Sequence, residues 1–317
     1  MKNRFIMLAG LPGSGKTTLV NLIRDTLVQK MNRAEEDVVW LGSDMIRKEL
    51  YGTEKEQGDH EAVFNLMKQR TDKALRAGKD VIYDACNINS KKRKAFLANL
   101  KRFSGEKICV ICATPYEVCL ERNGQRSRVV AEHVIKKMYL NWNTPYYHEG
   151  WDQIYIYYSD GAKGFRGTPE SFVEMYMDYQ QDNPYHQETL GTHMKDTYAY
   201  LVENGYSKAD SNLAMAALLH DCGKPFTKAF LDSRGNKTEI AHYYQHPCSG
   251  AHDALFFDFP DKTMEDVLEI SVLINLHMHP FNWQQASGNT KLKKQWGEKL
   301  YQEVLLLHEA DEAASVN

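Results

Sequence analysis

Two groups of residues in this 317-residue chain have the types and spacing to do chemistry. The first is Gly10-Leu-Pro-Gly13-Ser14-Gly15-Lys16-Thr17, which fits G-x-x-x-x-G-K-[ST]. An apolar run, Phe5 to Ala9, precedes it, and an apolar-periodic stretch, Thr18 to Val28, follows, so a strand, a glycine loop and a helix are expected in succession. Such a loop turns backbone N–H groups onto an anion, and the helix N-terminus adds partial positive charge. The spacing assigns Gly10, Gly13, Ser14, Gly15, Lys16, Thr17 and Thr18 to the phosphates of a nucleoside triphosphate; the loop alone does not separate ATPase, GTPase and kinase, and ATP is the expected donor for a kinase. Lys16 would reach the outer phosphates, and the Thr17 hydroxyl would hold Mg²⁺.

Phosphoryl transfer also needs an acceptor side. Asp44 stands just past the second expected strand, with Arg47 three residues on and on the same helical face. A carboxylate there can take a proton from an attacking hydroxyl, and the arginine can clamp an acceptor phosphate. The competing reading has Asp44 only capping its helix. Asp84 and Asn87 follow the next strand, where α/β sheets collect ligands; Asp84 would support the Mg²⁺ shell and Asn87 the acceptor. Arg122, Arg126 and Arg128 surround a glycine after the fourth strand and its helix, and suggest a closing segment that stabilises charge on the transferring phosphoryl group; a solvated charge run is the bland reading. Lys91 to Lys94 is a basic run that would track a nucleic-acid backbone or simply face solvent.

The second group is His193, then Leu218-Leu-His220-Asp221-Cys-Gly-Lys224-Pro225, then His246, His277 and Asp311. Imidazoles and carboxylates suit a divalent transition metal such as Mn²⁺, which lowers the pKa of bound water and polarises a phosphoryl oxygen. His220 and Asp221 adjoin near a helix end, and the others arrive from separate helices, as in sites built inside helical bundles. His186, His252, His279 and His308 are alternative ligands.

The elements that must position these residues change character near residue 160. Before it, strands at Phe5–Ala9, Asp37–Leu41, Asp80–Asp84, Lys107–Ala113 and Gln153–Tyr158 alternate with helical stretches, among them one opening at Gly42-Ser43-Asp44, one over about 60–77, one from near Ser90 and one from Pro115. A polar loop spans Thr53 to Asp59. That alternation predicts a parallel sheet between helices. Glycine-rich sequence then leads into a helical half, with helices over about 188–203, 209–219, 247–257, 264–275 and 295–311 and a small hairpin at Asp232–Asn236. The expected architecture is an α/β domain over 1–160 followed by an all-α domain over 161–317. A net charge of −3 leaves any polynucleotide contact to local patches. No apolar run approaches membrane-spanning length, and the N-terminus enters a core strand too soon for a signal peptide, so a cytoplasmic, reducing location is expected. Cys109 and Cys112 form C-x-x-C, but inside Ile108–Ala113, which reads as a buried strand.

The motifs of residues 4–158 resemble the polynucleotide 5′-kinase branch of P-loop phosphotransferases: the glycine loop, Ser43-Asp44-x-x-Arg47, Asp84-x-x-Asn87 and Arg122-Asn-x-x-Arg126. The resemblance implies that Asp44 is the general base, that Arg47 holds the acceptor's 3′-phosphate, and that Arg122 and Arg126 lie on the donor phosphates. Ala131 departs from the proline these kinases often carry. Residues 185–315 resemble the HD phosphohydrolase superfamily through Leu-Leu-His220-Asp221-x-Gly-Lys224-Pro and Ala310-Asp311-x-x-Ala313. This implies one metal on His193, His220, Asp221 and Asp311, a second ion or the substrate phosphate at His246 and His277, and Lys224 neutralising phosphate charge. The combination implies an RNA (or DNA) end-healing enzyme that phosphorylates 5′-hydroxyls and removes 2′,3′-cyclic or terminal phosphates, with a separate RNA ligase to seal the ends. The alternatives are a small-molecule or nucleoside kinase fused to an HD nucleotidase, and an ATP-sensing regulator of an HD hydrolase.

Overall fold

The computed structural model describes residues 2–53, 58–126, 128–184, 187–280 and 286–315, with the backbone alone at 286–289. Part of the Thr53–Asp59 loop, and His186, lie outside the described residues. The chain divides into two compact units: Met1–Met138 with Pro145–Ala162, and Tyr139–Thr144 with Lys163–Asn317.

In the first unit β1 (Arg4–Ala9) leads through the glycine loop into α1 (Lys16–Asp25), followed by β2 (Val38–Gly42), α2 (Ser43–Tyr51), α3 (His60–Arg76), β3 (Asp80–Asp84), α4 (Ser90–Asn99), β4 (Glu106–Ala113), α5 (Tyr116–Gly124), α6 (Glu132–Tyr139, its last residue grouped with the second unit) and β5 (Gln153–Tyr158). All strands are parallel, in the order β2-β3-β1-β4-β5. The chain crosses over β1 between β3 and β4, so the loops after β1 and β3 open at adjacent C-terminal strand ends, where such sheets bind ligands. Ile6 and Leu8 of β1 face a core with Leu19, Val20, Ile82, Ile108, Val110 and Cys112. On the other face Phe5 stacks on Phe96 of α4, ring centroids 5.2 Å apart, and Tyr83 tilts against Phe96 at 4.8 Å. Cys109 and Cys112 lie buried in β4 as free thiols, and burial pushes Cys112 up to about 12, in keeping with packing rather than redox chemistry.

The regular α1 helix stops earlier than its apolar period implies: after Asp25 the chain widens into a π-helical turn, Thr26–Lys30. The basic run is also partly corrected. Lys91 and Lys92 are exposed, but Arg93 is buried and makes a two-pronged pair with Glu149, Nε to Oε2 at 2.8 Å and Nη2 to Oε1 at 2.6 Å. Trp151 Nε1 donates to the same Oε2 at 2.9 Å. Arg93 therefore pins α4 and cannot meet a nucleic acid. Replacing Arg93 by alanine would leave Glu149 as a buried unpaired charge and is expected to cost about 3–5 kcal/mol, read by chemical denaturation.

The second unit is mainly helical: α7 (Pro169–Met175), α8 (Leu190–Glu203), α9 (Asn212–Leu219), α10 (Lys224–Thr227), the hairpin of β6 (Ala229–Leu231) and β7 (Lys237–His242), α11 (His246–Asp253), α12 (Met264–Leu276), α13 (Ala286–Trp296) and α14 (Glu298–Ala314). Two differences from the sequence reading stand out. The stretch expected as one helix over 295–311 is the end of α13 and most of α14, separated by Gly297, and the glycine-rich segment after residue 160 contains α7. Within this unit Tyr139 OH donates to Asp253 Oδ2 at 2.9 Å, and Asn275 Nδ2 donates to the Trp142 carbonyl at 3.3 Å. The rings of Tyr139 and Trp142 meet His252 edge to face at 5.3 and 5.2 Å. These contacts anchor α11 and α12, the helices that carry His246 and lead to His277.

Candidate active sites

The glycine loop closes at the C-terminal end of β1. Gly13 has φ 86°, and a Cβ there would sit 2.3 Å from the Cys119 carbonyl oxygen, so only glycine lets the loop approach α5 this closely. Lys16 Nζ reaches back over the loop, donating to the carbonyls of Gly10 at 3.0 Å and Leu11 at 2.7 Å. The next side chain turns toward the neighbouring strand: Thr17 Oγ1 donates to Asp84 Oδ2 at 3.2 Å. Burial pushes the Asp84 carboxyl up, against the pull of Lys16. A hydroxyl and a carboxylate oxygen in contact beside a phosphate cradle are hard donors of the kind Mg²⁺ takes.

Asp44 and Arg47 meet within the first turns of α2, Arg47 Nη1 to Asp44 Oδ1 at 2.7 Å, and the cap position is Gly42, so Asp44 is not the helix cap. Arg47 is buried and its Nη2 lies 3.4 Å from His60 Nδ1. Arg128 Nη1 also reaches Asp44 Oδ1, at 2.5 Å, while Arg126 Nη2 stands 3.9 Å from Oδ2. Arg122 lies in the last turn of α5 and forms no ion pair among the described residues. The arginine run is therefore not simply solvated, and its closest member to Asp44 is Arg128. Asn87 has φ 46°, and its amide nitrogen donates to the carbonyls of Leu8 at 2.7 Å and Ala85 at 3.1 Å. That nitrogen braces the strand ends and is not presented to an acceptor.

In the second unit the six HD-pattern residues come together as two buried triads, His193–His220–Asp311 and Asp221–His246–His277. His193 Nε2 lies 3.1 Å from both His220 Nε2 and Asp311 Oδ1. His246 Nε2 lies 3.1 Å from His277 Nε2. Asp221 joins the triads, with Oδ2 at 3.4 and 3.3 Å from His193 and His220, and Oδ1 at 3.1 and 3.9 Å from His246 and His277. Metal–nitrogen bonds of about 2.1 Å place neighbouring ligand atoms about 3–3.5 Å apart, which these spacings mostly match. The ring orientation fits as well. Nδ1 of His220, His246 and His277 meets the carbonyls of Ala217, Tyr243 and Ile274 at 2.8, 2.8 and 2.7 Å, and His193 Nδ1 faces Glu188 at 3.1 Å, leaving each Nε2 directed inward. Gly223 is needed for this approach, since a Cβ there would lie 2.1 Å from the His246 carbonyl oxygen.

The electrostatics also suit a cation. Burial opposes charge on His220, but Asp221 and Asp311 outweigh it and raise the ring to about 10. Burial, helped by His246 and His220, lowers His277 to about 3. Against the same burial, Lys224 and His220 hold Asp221 well below the usual carboxylate range. Lys224 Nζ lies 2.6 Å from Asp221 Oδ2 and donates to the buried Gln181 Oε1 at 2.7 Å. Of the alternative histidines, His252 sits in its aromatic box, His279 packs on Trp296 and His308 pairs with Glu312; none belongs to a triad among the described residues. Glu188 and Gln181 were not marked by any motif, because each acts through another side chain, Glu188 on His193 and Gln181 on Lys224.

Residues 5–144 match the AAA domain family and residues 187–315 the HD domain family. The chain therefore carries a P-loop domain of AAA type, a parallel sheet flanked by helices, followed by a helical HD domain. It is 29% identical over 147 residues to the L-seryl-tRNA(Sec) kinase of Methanococcus maripaludis, covering 46% of this chain and 55% of that one. It is 29% identical over 168 residues to transcription factor bHLH140 of Arabidopsis thaliana, covering 50% of this chain and 16% of that one. The chain thus spans about half the length of the first relative and a small part of the second. Among solved structures, a chain of the Pnkp1/Rnl/Hen1 RNA repair complex aligns with a TM-score of 0.37 and 18% identity, over 43% of this chain and 42% of that one. Among the described residues no helix is long and apolar enough to cross a membrane.

Proposed function

We propose that the chain heals RNA ends, with a 5′-hydroxyl kinase in the P-loop domain and a phosphohydrolase for 2′,3′-cyclic or terminal phosphates in the HD domain. The observation that carries this reading is the joining of a P-loop with a second, acceptor-side carboxylate to a buried pair of His/Asp triads: two phosphate chemistries on one polypeptide. A common substrate with two faulty ends gives both a purpose. A relative that is by name a kinase of a seryl-tRNA supports an acceptor carried on RNA.

In the kinase step the loop amides and Lys16 hold the donor phosphates, and Thr17 with Asp84 would hold Mg²⁺, which supplies charge neutralisation when bound. Arg47 fixes the acceptor phosphate, Asp44 takes the proton of the attacking 5′-hydroxyl, and Arg122 and Arg126 lie on the donor phosphates. In the HD domain the two triads would hold transition metal ions such as Mn²⁺, which supply Lewis acidity and a readily deprotonated water. Lys224 balances the charge of the bound phosphate. Sealing the healed ends would fall to a separate RNA ligase, and the location consistent with this work is the cytoplasm.

The test is a short RNA bearing a 5′-hydroxyl and a 2′,3′-cyclic phosphate, incubated with the purified protein, ATP, Mg²⁺ and Mn²⁺, with both ends followed by mass spectrometry. Gain of 80 Da at the 5′ end (one HPO₃ group, about 80 Da by composition) and opening or loss of the cyclic phosphate are expected. An untouched RNA alongside turnover of free nucleosides or nucleotides would replace this reading with the small-molecule one.

A further inference from the structure

Asp44 is more heavily engaged than a general base about to act. Its Oδ1 accepts from Arg47 within the same helix and from Arg128, which lies 84 residues further along the chain. The two arginines are not equivalent. Arg47 belongs to α2, is buried, and has His60 as a second neighbour. Arg128 comes from the arginine-rich segment after α5, and its side chain is only 12% exposed where it meets Asp44. An attacking hydroxyl must donate to this carboxylate; its Oδ1 already accepts from two guanidinium groups and has little capacity for a third donor, while its Oδ2 faces Arg126 Nη2 at 3.9 Å. Asp44 lies two residues after Gly42, which pairs with Asp84 in the parallel register of β2 and β3, so it stands near the carboxylate bonded to Thr17 of the P-loop. A triphosphate bound there presents several negative charges and paired oxygens to a guanidinium, against the one charge of Asp44.

We propose that Arg128 is a positioning residue that couples donor to acceptor: it holds Asp44 while the donor site is empty and leaves it for the phosphates of the bound nucleotide, making binding ordered. Arg47 stays on Asp44 throughout and keeps the carboxylate aimed. This coupling rests on the kinase reading above. It requires no covalent step of its own.

The experiment measures binding of a fluorescently labelled 5′-hydroxyl oligoribonucleotide with a 3′-phosphate to the full chain, with and without Mg²⁺ and a β,γ-imido ATP analogue. For the wild type the nucleotide is expected to tighten oligonucleotide binding at least about tenfold, within the usual span of coupling between sites. In Arg128→Ala the ratio is expected to fall to within about twofold of unity. Arg128→Gln, closer in size, gives the same reading should the alanine variant fail to fold. A side chain that merely supports the local structure would weaken both affinities and leave their ratio unchanged, so an unchanged ratio in the variants overturns the proposal, as does a wild type without coupling. A wild type that fails to bind the oligonucleotide even with nucleotide present overturns the kinase reading itself, and is told apart from the other failures by that fact.

Discussion

Replacing Asp221 by asparagine is expected to lower hydrolysis by the HD domain about a thousandfold or more, because metal polarisation of a phosphoryl oxygen is worth several kcal/mol and each 1.4 kcal/mol is about a factor of ten. Among the described residues Asp221 alone has an oxygen at each triad: Oδ2 serves His193 and His220, and Oδ1 serves His246 and His277. An amide nitrogen in place of either oxygen removes an anionic ligand from one ion and weakens the other. By contrast His277→Ala removes a ligand from a single triad. Mass-spectrometric metal analysis after loading with Mn²⁺ and gel filtration separates the cases. Asp221→Asn should retain little metal, and His277→Ala about half of the wild-type amount. Equal metal in Asp221→Asn and wild type would show that the triads do not depend on the shared carboxylate.

The second large effect is expected at Lys16. Lys16→Ala should lower phosphate transfer from ATP to a 5′-hydroxyl by about 10²–10³, the usual cost of removing one charge-stabilising donor from a transferring group. Lys16 Nζ lies over the Gly10 and Leu11 carbonyls, so its loss also leaves the loop without its internal cross-brace. Transfer of labelled γ-phosphate reports the loss, and the HD reaction of the same variant should remain at the wild-type rate. Transfer that survives the substitution would mean that the glycine loop is not the donor site.

Much of this chain was legible because its chemistry is local in sequence. The strand at Asp80–Asp84, the loop at Gly10 to Thr17 and the His220-Asp221 pair are contiguous, and each stretch carries its own reason to fold or bind as it does. What escaped were relations between distant residues. Nothing around Lys91–Lys94 shows that the third residue is buried, because its partner Glu149 lies 56 positions away. Among the arginines after α5 no spacing marks Arg128 as the one that meets Asp44. The adjacency of His220 and Asp221 puts both near one ion, but says nothing about the second oxygen of Asp221. The end of α13 and most of α14 read as a single helix because the amphipathic pattern carries on across Gly297 and only the backbone departs.

The grouping of Tyr139–Thr144 with the helical unit means that the two units are not modular in the sense a protein engineer would want. The composition changes near residue 160, and a scissors-cut there looks natural. It would strip the HD half of Trp142 and Tyr139, leaving the imidazole of His252 without two of its ring neighbours, and it would take away the Thr144 hydroxyl that meets Ser271 at 2.6 Å. From a stretch that interrupts the first unit in sequence, Tyr139, Trp142 and Thr144 are thus buried in the second. A cut at that point would leave the helical unit with an open seam, so the two units depend on one continuous chain through their packing alone.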